Sequence, residues 1–370
     1  MDACSPQDLP SHPDDGGPAC RPEGRIAVFG AGSWGTALAY SLAALGGHEV
    51  ALWARRPEAA KAIAETRRNP RYLSEAVLPE NIHVTSDLVE AAQGAWLRVF
   101  AVPVPSVREL AGLLQPHVTP GLTVVSVAKG IENGSLATTS GVLREALPGV
   151  PAEKIGVLYG PSHAEEVAAG LPTSIVVAFP DDRAAECVRA AFMTDALRVY
   201  VNHDLIGVEI AGSVKNVMAL AAGMGDGLGL GDNAKAALVT RGLAEIRRLG
   251  LALGADAATF AGLAGLGDLV VTCFSRHSRN RFFGELIGGG KTLAEAEAEM
   301  TMVAEGVKTT VSTRALAQKH GVVMPITEAV YRILFEGLSP RAAVGDLMTR
   351  DPKTEHAGSE AYAPTLDASG

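Results

Sequence analysis

The chain has 370 residues, 47% of them hydrophobic and 20% charged, with a formal net charge of -9 at pH 7. A chain of this length is expected to form two domains, and this balance suits a protein that buries a large core. The acidic balance argues against a nucleic-acid binder working through a broad basic face, although local basic spots can still hold a phosphate.

Residues 1–24 are rich in Pro, Asp, Gly and Ser and poor in large apolar side chains, as are residues 351–370. Both stretches are expected to be disordered tails, because they bury too little surface to offset the entropy of ordering. The start Met1-Asp2-Ala3-Cys4-Ser5-Pro6 has neither the basic start nor the apolar stretch of a signal peptide. Cys4, Cys20, Cys187 and Cys273 form no C-x-x-C pair, which suits free thiols in a reducing compartment. No apolar run reaches the length of a membrane span, so the expectation is a cytoplasmic protein without stable membrane insertion.

Strand-like apolar runs occur at 25–29, 49–54, 97–102, 122–127, 155–159, 174–179 and 197–201, with Ala-rich helical stretches between several of them, such as 35–45 and 104–114. This alternation predicts an α/β unit over 25–202, a Rossmann-type, doubly wound parallel sheet with helices on both faces. After Asn202 the period becomes helical, at 205–222, 234–253, 307–320 and 326–336, and no strand pattern recurs. Residues 203–350 are therefore expected to form an all-helical domain carrying substrate and catalytic groups.

The first strand runs into Gly30-Ala31-Gly32-Ser33-Trp34-Gly35. A G-x-G-x-x-G run at a strand-to-helix junction is a dinucleotide-binding signature: Gly30 permits the turn, Gly32 lets the backbone approach a pyrophosphate, and Gly35 lets helix pack on strand. The helix N-terminus then offers free N–H groups to the phosphates. The second strand ends in Arg55-Arg56, where an NAD-selective site usually carries a carboxylate for the ribose 2′-OH. Two arginines favour a 2′-phosphate, and hence NADPH, over a merely solvated basic turn.

Lys129 follows the fourth of these strands and Ser162 follows the fifth, at the strand ends where such sheets bind ligands. Lys129 is equally readable as a solvated loop lysine, and Ser162 as the cap of the next helix. Lys215 lies inside the apolar run Val208-Glu209-Ile210-Ala211-Gly212-Ser213-Val214-Lys215-Asn216-Val217-Met218. A lysine there must snorkel, pair with a carboxylate such as Glu209, or titrate low, and the last option suits the acid–base group of an alcohol/ketone pair. Asp268, in Gly265-Leu266-Gly267-Asp268-Leu269, is readable as a lysine partner or as an N-cap, and Arg276 to Arg281 form the densest basic spot of the helical half. His163 and His277 have no acidic partner at a convincing spacing, and no metal-ligand pattern occurs. Gly288-Gly289-Gly290-Lys291-Thr292 lacks the first glycine of a P-loop, Glu285 standing there.

Eight stretches, in family order over residues 25–348, give this chain a resemblance to the bacterial type of NAD(P)-dependent glycerol-3-phosphate dehydrogenase. They are the run from Gly30 to Ala39; Ser126 to Glu132; Gly160-Pro161-Ser162-His163-Ala164-Glu165-Glu166; Lys215-Asn216; Gly227 to Asn233; Gly267-Asp268-Leu269; Ser278-Arg279-Asn280; and Val303-Ala304-Glu305-Gly306. The resemblance implies reduction of dihydroxyacetone phosphate to sn-glycerol 3-phosphate with NADPH or NADH, supplying glycerophospholipid synthesis. Carried over by position, Lys215 is the proton donor and acceptor. Lys129, Gly160, Ser162, Lys215, Asp268, Ser278, Arg279 and Asn280 contact the substrate. Ser33, Trp34, Arg55, Arg56, Lys129, Ala164, Arg279, Val303 and Glu305 line the cofactor.

The third of these runs departs from the family pattern, with Arg98 inside it and two prolines, Pro103 and Pro105, just after it. Alternatives are a two-domain reductase acting on a 3-hydroxy acid or ketopantoate-like substrate, which the phosphate-suited Arg279 region disfavours, and a cofactor-sensing binding protein, which Lys215, Asp268 and Lys129 disfavour. A nucleic-acid partner is not expected, and a homodimer is left open.

Overall fold

The structure is a computed structural model that describes residues 24–300 and 304–351. The expectations for the two tails and for Val303 therefore lie outside the described residues, apart from Gly24 and Asp351 at the edges. Eight strands form one sheet: β1 (Arg25–Phe29), β2 (Val50–Trp53), β3 (Ile82–Thr85), β4 (Ala95–Phe100), β5 (Thr123–Ser126), β6 (Ile155–Tyr159), β7 (Thr173–Ala178) and β8 (Leu197–Asn202), in the order β3-β2-β1-β4-β5-β6-β7-β8. Helices α1 (Ser33–Tyr40), α2 (Pro57–Thr66), α3 (Leu88–Ala92), α4 (Val107–Leu114), α5 (Thr139–Ala146), α6 (Ala164–Ala168) and α7 (Asp182–Phe192) lie among them. The chain order reverses at β1, where the crossover changes from β2 and β3 on one side to β4 on the other; ligands bind outside the carboxyl ends of strands at such a point.

Two features differ from the expectation of a wholly parallel sheet of seven strands. Strand β3, Ile82-His83-Val84-Thr85, is four residues long at the sheet edge with His83 exposed, too short an alternation to stand out. Strands β1 to β6 are parallel, but β7 runs antiparallel to β6, and β8 is parallel to β7. The connection explains the reversal. Between β6 and β7 the only helix is α6, five residues long and so about 7 Å in length, whereas a return beside β6 must cover roughly 17 Å of strand.

Apolar side chains fill both faces of the sheet. Ile26, Val28, Leu52, Val99 and Val177 pack with Leu38 and Leu42 on one side, and Ala27, Phe29, Phe100 and Val124 pack with Val107, Leu110 and Leu143 on the other.

Beyond Asn202 the described residues form helices α8 (Leu205–Gly227), α9 (Gly231–Ala252), α10 (Asp268–Phe274), α11 (Arg279–Gly288), α12 (Leu293–Glu299), α13 (Glu305–Lys319), α14 (Pro325–Phe335) and α15 (Pro340–Met348). Helix α8 is 23 residues long and apolar enough, by length and composition, to cross a membrane, but 89% of its apolar window is buried inside the protein. It is the core helix of this half. Helix α11 crosses it at close range because glycine stands at the contacts: a Cβ on Gly223 would lie 1.9 Å from the Arg281 carbonyl oxygen, and one on Gly284 would lie 2.1 Å from that of Leu220. That crossing holds α11 against the last third of α8.

Candidate active site

At the end of β1 the chain turns through Gly30, whose φ of 121° is in the region that favours glycine. A Cβ on Gly35 would lie 1.9 Å from the Gly30 carbonyl oxygen, so helix α1 packs on the turn only with glycine there. A Cβ on Gly32 would meet nothing within 4 Å: open space lies in front of the first turn of α1, which has no side-chain cap. Uncapped N–H groups beside open space fit a pyrophosphate, which the helix dipole also favours. This turn opens into a cleft of about 950 Å³. Ser33 and Trp34 line it beside the turn, and Arg55 and Arg56 line it beyond β2. Ala164 lines it near Trp34, and Lys129, Ser162, Lys215, Asp268, Ser278, Arg279, Asn280 and Glu305 line its other end. Gly35 and Gly160 lie outside the lining, and Gly160 instead offers its carbonyl to Lys129 Nζ at 3.0 Å.

Lys215 is the centre of the far end. Its side chain is 7% exposed and donates to Asp268 Oδ1 at 2.5 Å and Thr272 Oγ1 at 2.6 Å. Burial lowers its pKa to about 8; Lys129 pushes the same way, and Asp268 opposes both. Glu209 is not its partner: that carboxylate, six residues earlier on α8, accepts from Thr139 and Ser140. Asp268 is the first residue of α10, and its carboxylate serves the two lysines, with Oδ2 accepting from Lys129 Nζ at 2.7 Å. Two ammonium groups thus share one buried carboxylate, which leaves the cluster one positive charge when both are protonated. Such a cluster can exchange a proton with an alcohol oxygen near neutral pH and stabilise an oxyanion.

Helix α11 brings the third element. Ser278 caps it by accepting from Arg281 N at 3.2 Å, so the first turn of α11 points into the cleft with Arg279 at its first position. A helix N-terminus plus a guanidinium is a ready anion site. Asn280 is held from both sides: its Oδ1 accepts from Gly306 N at 2.9 Å, and its Nδ2 donates to Asn216 Oδ1 at 3.0 Å. Ser162 does not cap α6, whose N-cap is His163; its hydroxyl donates to the Gly160 carbonyl at 3.2 Å. The rings of His163 and His277 lie 5.7 Å apart at the cleft wall, and burial and Lys215 lower the His163 pKa. Burial raises the pKa of the Glu305 carboxyl, against the pull of Arg279, Lys129 and Lys215.

Several lining residues escaped the sequence reading. Thr272 follows Asp268 by four residues, one helical turn, a spacing that could have marked it. Asn216 is the neighbour of Lys215. Asn69, Arg71, Tyr72 and Glu58 line the cofactor end without any motif to signal them.

A dinucleotide turn, a lysine of lowered pKa on a helical domain and an anion site at one cleft define an NAD(P)-dependent oxidoreductase of small anionic alcohols. The family models for the NAD-dependent glycerol-3-phosphate dehydrogenase N-terminus and C-terminus match residues 25–185 and 204–345. The chain is 61% identical over 331 residues to glycerol-3-phosphate dehydrogenase [NAD(P)+] 2 of Salinibacter ruber, covering 90% of this chain and 96% of that protein. It is 52% identical to glycerol-3-phosphate dehydrogenase [NAD(P)+] of Chlorobium phaeobacteroides strain BS1, covering 90% and 99%. The crystal structure of glycerol-3-phosphate dehydrogenase from Coxiella burnetii is 40% identical and superposes with a TM-score of 0.85, covering 89% of this chain and 99% of that one. The chain belongs to the NAD-dependent glycerol-3-phosphate dehydrogenase family.

Proposed function

We propose that this chain reduces dihydroxyacetone phosphate to sn-glycerol 3-phosphate, reversibly, with Lys215 supplying the proton to the carbonyl oxygen. The observation that carries the reading is the juxtaposition of the Lys215–Asp268–Lys129 cluster with the anion site of α11, at the far end of a cleft that begins at a dinucleotide turn. The bound NAD(P)H supplies the hydride that ends on the substrate C2. Gly30, Gly32, Ser33, Trp34 and the first turn of α1 hold its pyrophosphate. Arg55 and Arg56 hold its adenosine end, with Ala164 and Glu305 along its path.

Arg279 and the N–H groups at the start of α11 bind the substrate phosphate, since an arginine fork and a helix dipole both recognise a dianion. Lys129 and Lys215 face the carbonyl and alkoxide oxygen. Asp268 keeps both ammonium groups in place and holds Lys215 cationic until the proton leaves. The wider role that goes with this chemistry is supply of the glycerophospholipid backbone from the cytoplasm.

A steady-state assay with NADH and NADPH against a small substrate panel tests the reading. Oxidation of the reduced cofactor on adding dihydroxyacetone phosphate is expected, with little turnover of unphosphorylated dihydroxyacetone or of ketopantoate. Turnover of ketopantoate with none of dihydroxyacetone phosphate would overturn it.

A further inference from the structure

Lys129 and Lys215 sit on different parts of the chain, one on the loop after β5 and the other in the middle of α8. Tyr159, the last residue of β6 and only 1% exposed, touches both parts. Its hydroxyl donates to the carbonyl oxygen of Ala128, the residue before Lys129. The Tyr159 hydroxyl oxygen lies 3.1 Å from Thr139 Oγ1, which is itself 3.1 Å from Glu209 Oε1 on α8. Its ring lies beneath Lys129 Nζ, 5.6 Å from ammonium to centroid. The opposite contact is Gly212, one helical turn before Lys215, where a Cβ would come within 2.6 Å of the ring.

We propose that Tyr159 is a positioning residue for the transfer, wedged between α8 and the loop after β5 so that Lys129 and Lys215 meet on the one carboxylate of Asp268. This rests on the assignment of Lys215 above. A leucine would fill some of the same space, but only tyrosine reaches the Ala128 carbonyl and also presents a π-face to the ammonium.

The wedge has an electrostatic consequence. The groups that face Lys215 are Asp268, Lys129, His163, Glu305 and Cys273. Lys129 is the cation among them that Tyr159 anchors. If the anchor is cut and Lys129 drifts away, Lys215 loses a repelling neighbour and gains a larger share of Asp268. Both changes stabilise the protonated form of Lys215, so its titration moves to higher pH.

The experiment compares Tyr159→Phe and Tyr159→Leu with the full-length wild-type enzyme, measuring kcat against pH for ketone reduction together with the dissociation constant for NADPH. Tyr159→Phe keeps the ring and loses the hydroxyl. Its kcat is expected to fall about 3- to 10-fold, the size of one hydrogen bond. Its basic limb is expected to move up by roughly half a unit, while NADPH affinity stays within about twofold. Tyr159→Leu also loses the ring contact and is expected to go further in both respects. Thr139→Val, which cuts the chain from the far side, is the second variant should the ring position prove intolerant, and it is expected to move the limb in the same direction.

A fall in kcat with the limb unmoved marks a merely structural residue and overturns the proposal, as does a Tyr159→Phe enzyme with wild-type kcat and limb. A wild-type profile with no limb near the value assigned to Lys215 is a different outcome, overturning the assignment of Lys215 itself.

Discussion

Asp268 accepts from Lys215 at 2.5 Å through one carboxylate oxygen and is 1% exposed, so water competes little for that carboxylate. The other oxygen holds Lys129 at 2.7 Å. Removing Lys215 leaves Asp268 paired with Lys129, whereas removing Asp268 leaves two ammonium groups without their carboxylate, so the two substitutions should differ in kind. Lys215→Ala is expected to lower kcat by about 1,000-fold or more while NADPH binding survives, because the loss falls on proton transfer. Asp268→Asn leaves two buried ammonium groups facing each other, and it is expected to cost stability as well as kcat. Thermal unfolding of both variants separates these effects: a Lys215→Ala enzyme that keeps most of its kcat removes that lysine from the mechanism.

The lowered pKa of Lys215, about 8, sets opposite pH dependences for the two directions. Reduction of the ketone needs the protonated lysine as donor, so kcat for reduction should fall as pH rises through about 8. Oxidation of the alcohol needs the neutral amine as acceptor, so kcat for that direction should rise through the same range. Measured kcat–pH profiles in both directions check this; limbs of the same sign in both would contradict it.

At the phosphate end, Arg279 stands at the first position of α11 with Ser278 as the cap. A charge-assisted contact at such a place, partly screened by solvent, contributes about 1.5 kcal/mol. Arg279→Ala is expected to raise KM for dihydroxyacetone phosphate by about 10-fold, with a smaller loss of cofactor affinity. KM for unphosphorylated dihydroxyacetone should hardly change, and an equal rise for both substrates would move the phosphate elsewhere.

At the cofactor end, Arg55 and Arg56 line the cleft beyond β2, and Glu58 lies 3.9 Å from Arg56 with its side chain 73% exposed. A pair that open to water holds its arginine only weakly. Both guanidinium groups thus remain able to engage a 2′-phosphate, and NADPH should be used at least as well as NADH. Replacing both arginines with glutamine is expected to weaken NADPH far more than NADH at one fixed ionic strength. Equal losses would place the adenosine end on backbone and apolar contacts instead.

Much of this site was legible because its parts carry local signatures. Gly30 and Gly35 are required by backbone geometry that recurs wherever a strand turns into a dinucleotide-binding helix, Gly32 keeps the space before that helix open, and Lys215 stands out as a charge in an apolar run. What stayed hidden depends on contacts distant in sequence. Lys129 and Asp268 are 139 residues apart, and nothing local says that they meet. Glu209 is a candidate partner for Lys215 because it stands in the same apolar run, but its carboxylate turns to the start of α5, which sequence order does not reveal. The reversal of β7 and β8 follows from the shortness of α6, and the sequence marks where that helix starts but not where it ends.

The departure at Arg98 resolves into a matter of stability, with no place in the chemistry. The residue is 1% exposed, its side chain donates to the carbonyls of His117 and Ala92, and Nε and Nη1 have no partner among the described residues. Burial alone lowers its pKa to about 10, and no carboxylate among the described residues answers its charge. A buried cation without a counter-ion costs several kcal/mol, whereas freeing two carbonyls, one of them on the half-exposed His117, costs about 1–3 kcal/mol. The first term wins. Arg98→Met, which keeps an unbranched chain of similar reach, is therefore expected to raise stability by about 1–3 kcal/mol, a rise of a few degrees in Tm. Arg98 does not line the cleft, so kcat and KM should stay as they are. Differential scanning calorimetry beside a steady-state assay checks both halves. A lower Tm in Arg98→Met would mean that the two carbonyl contacts outweigh the buried charge.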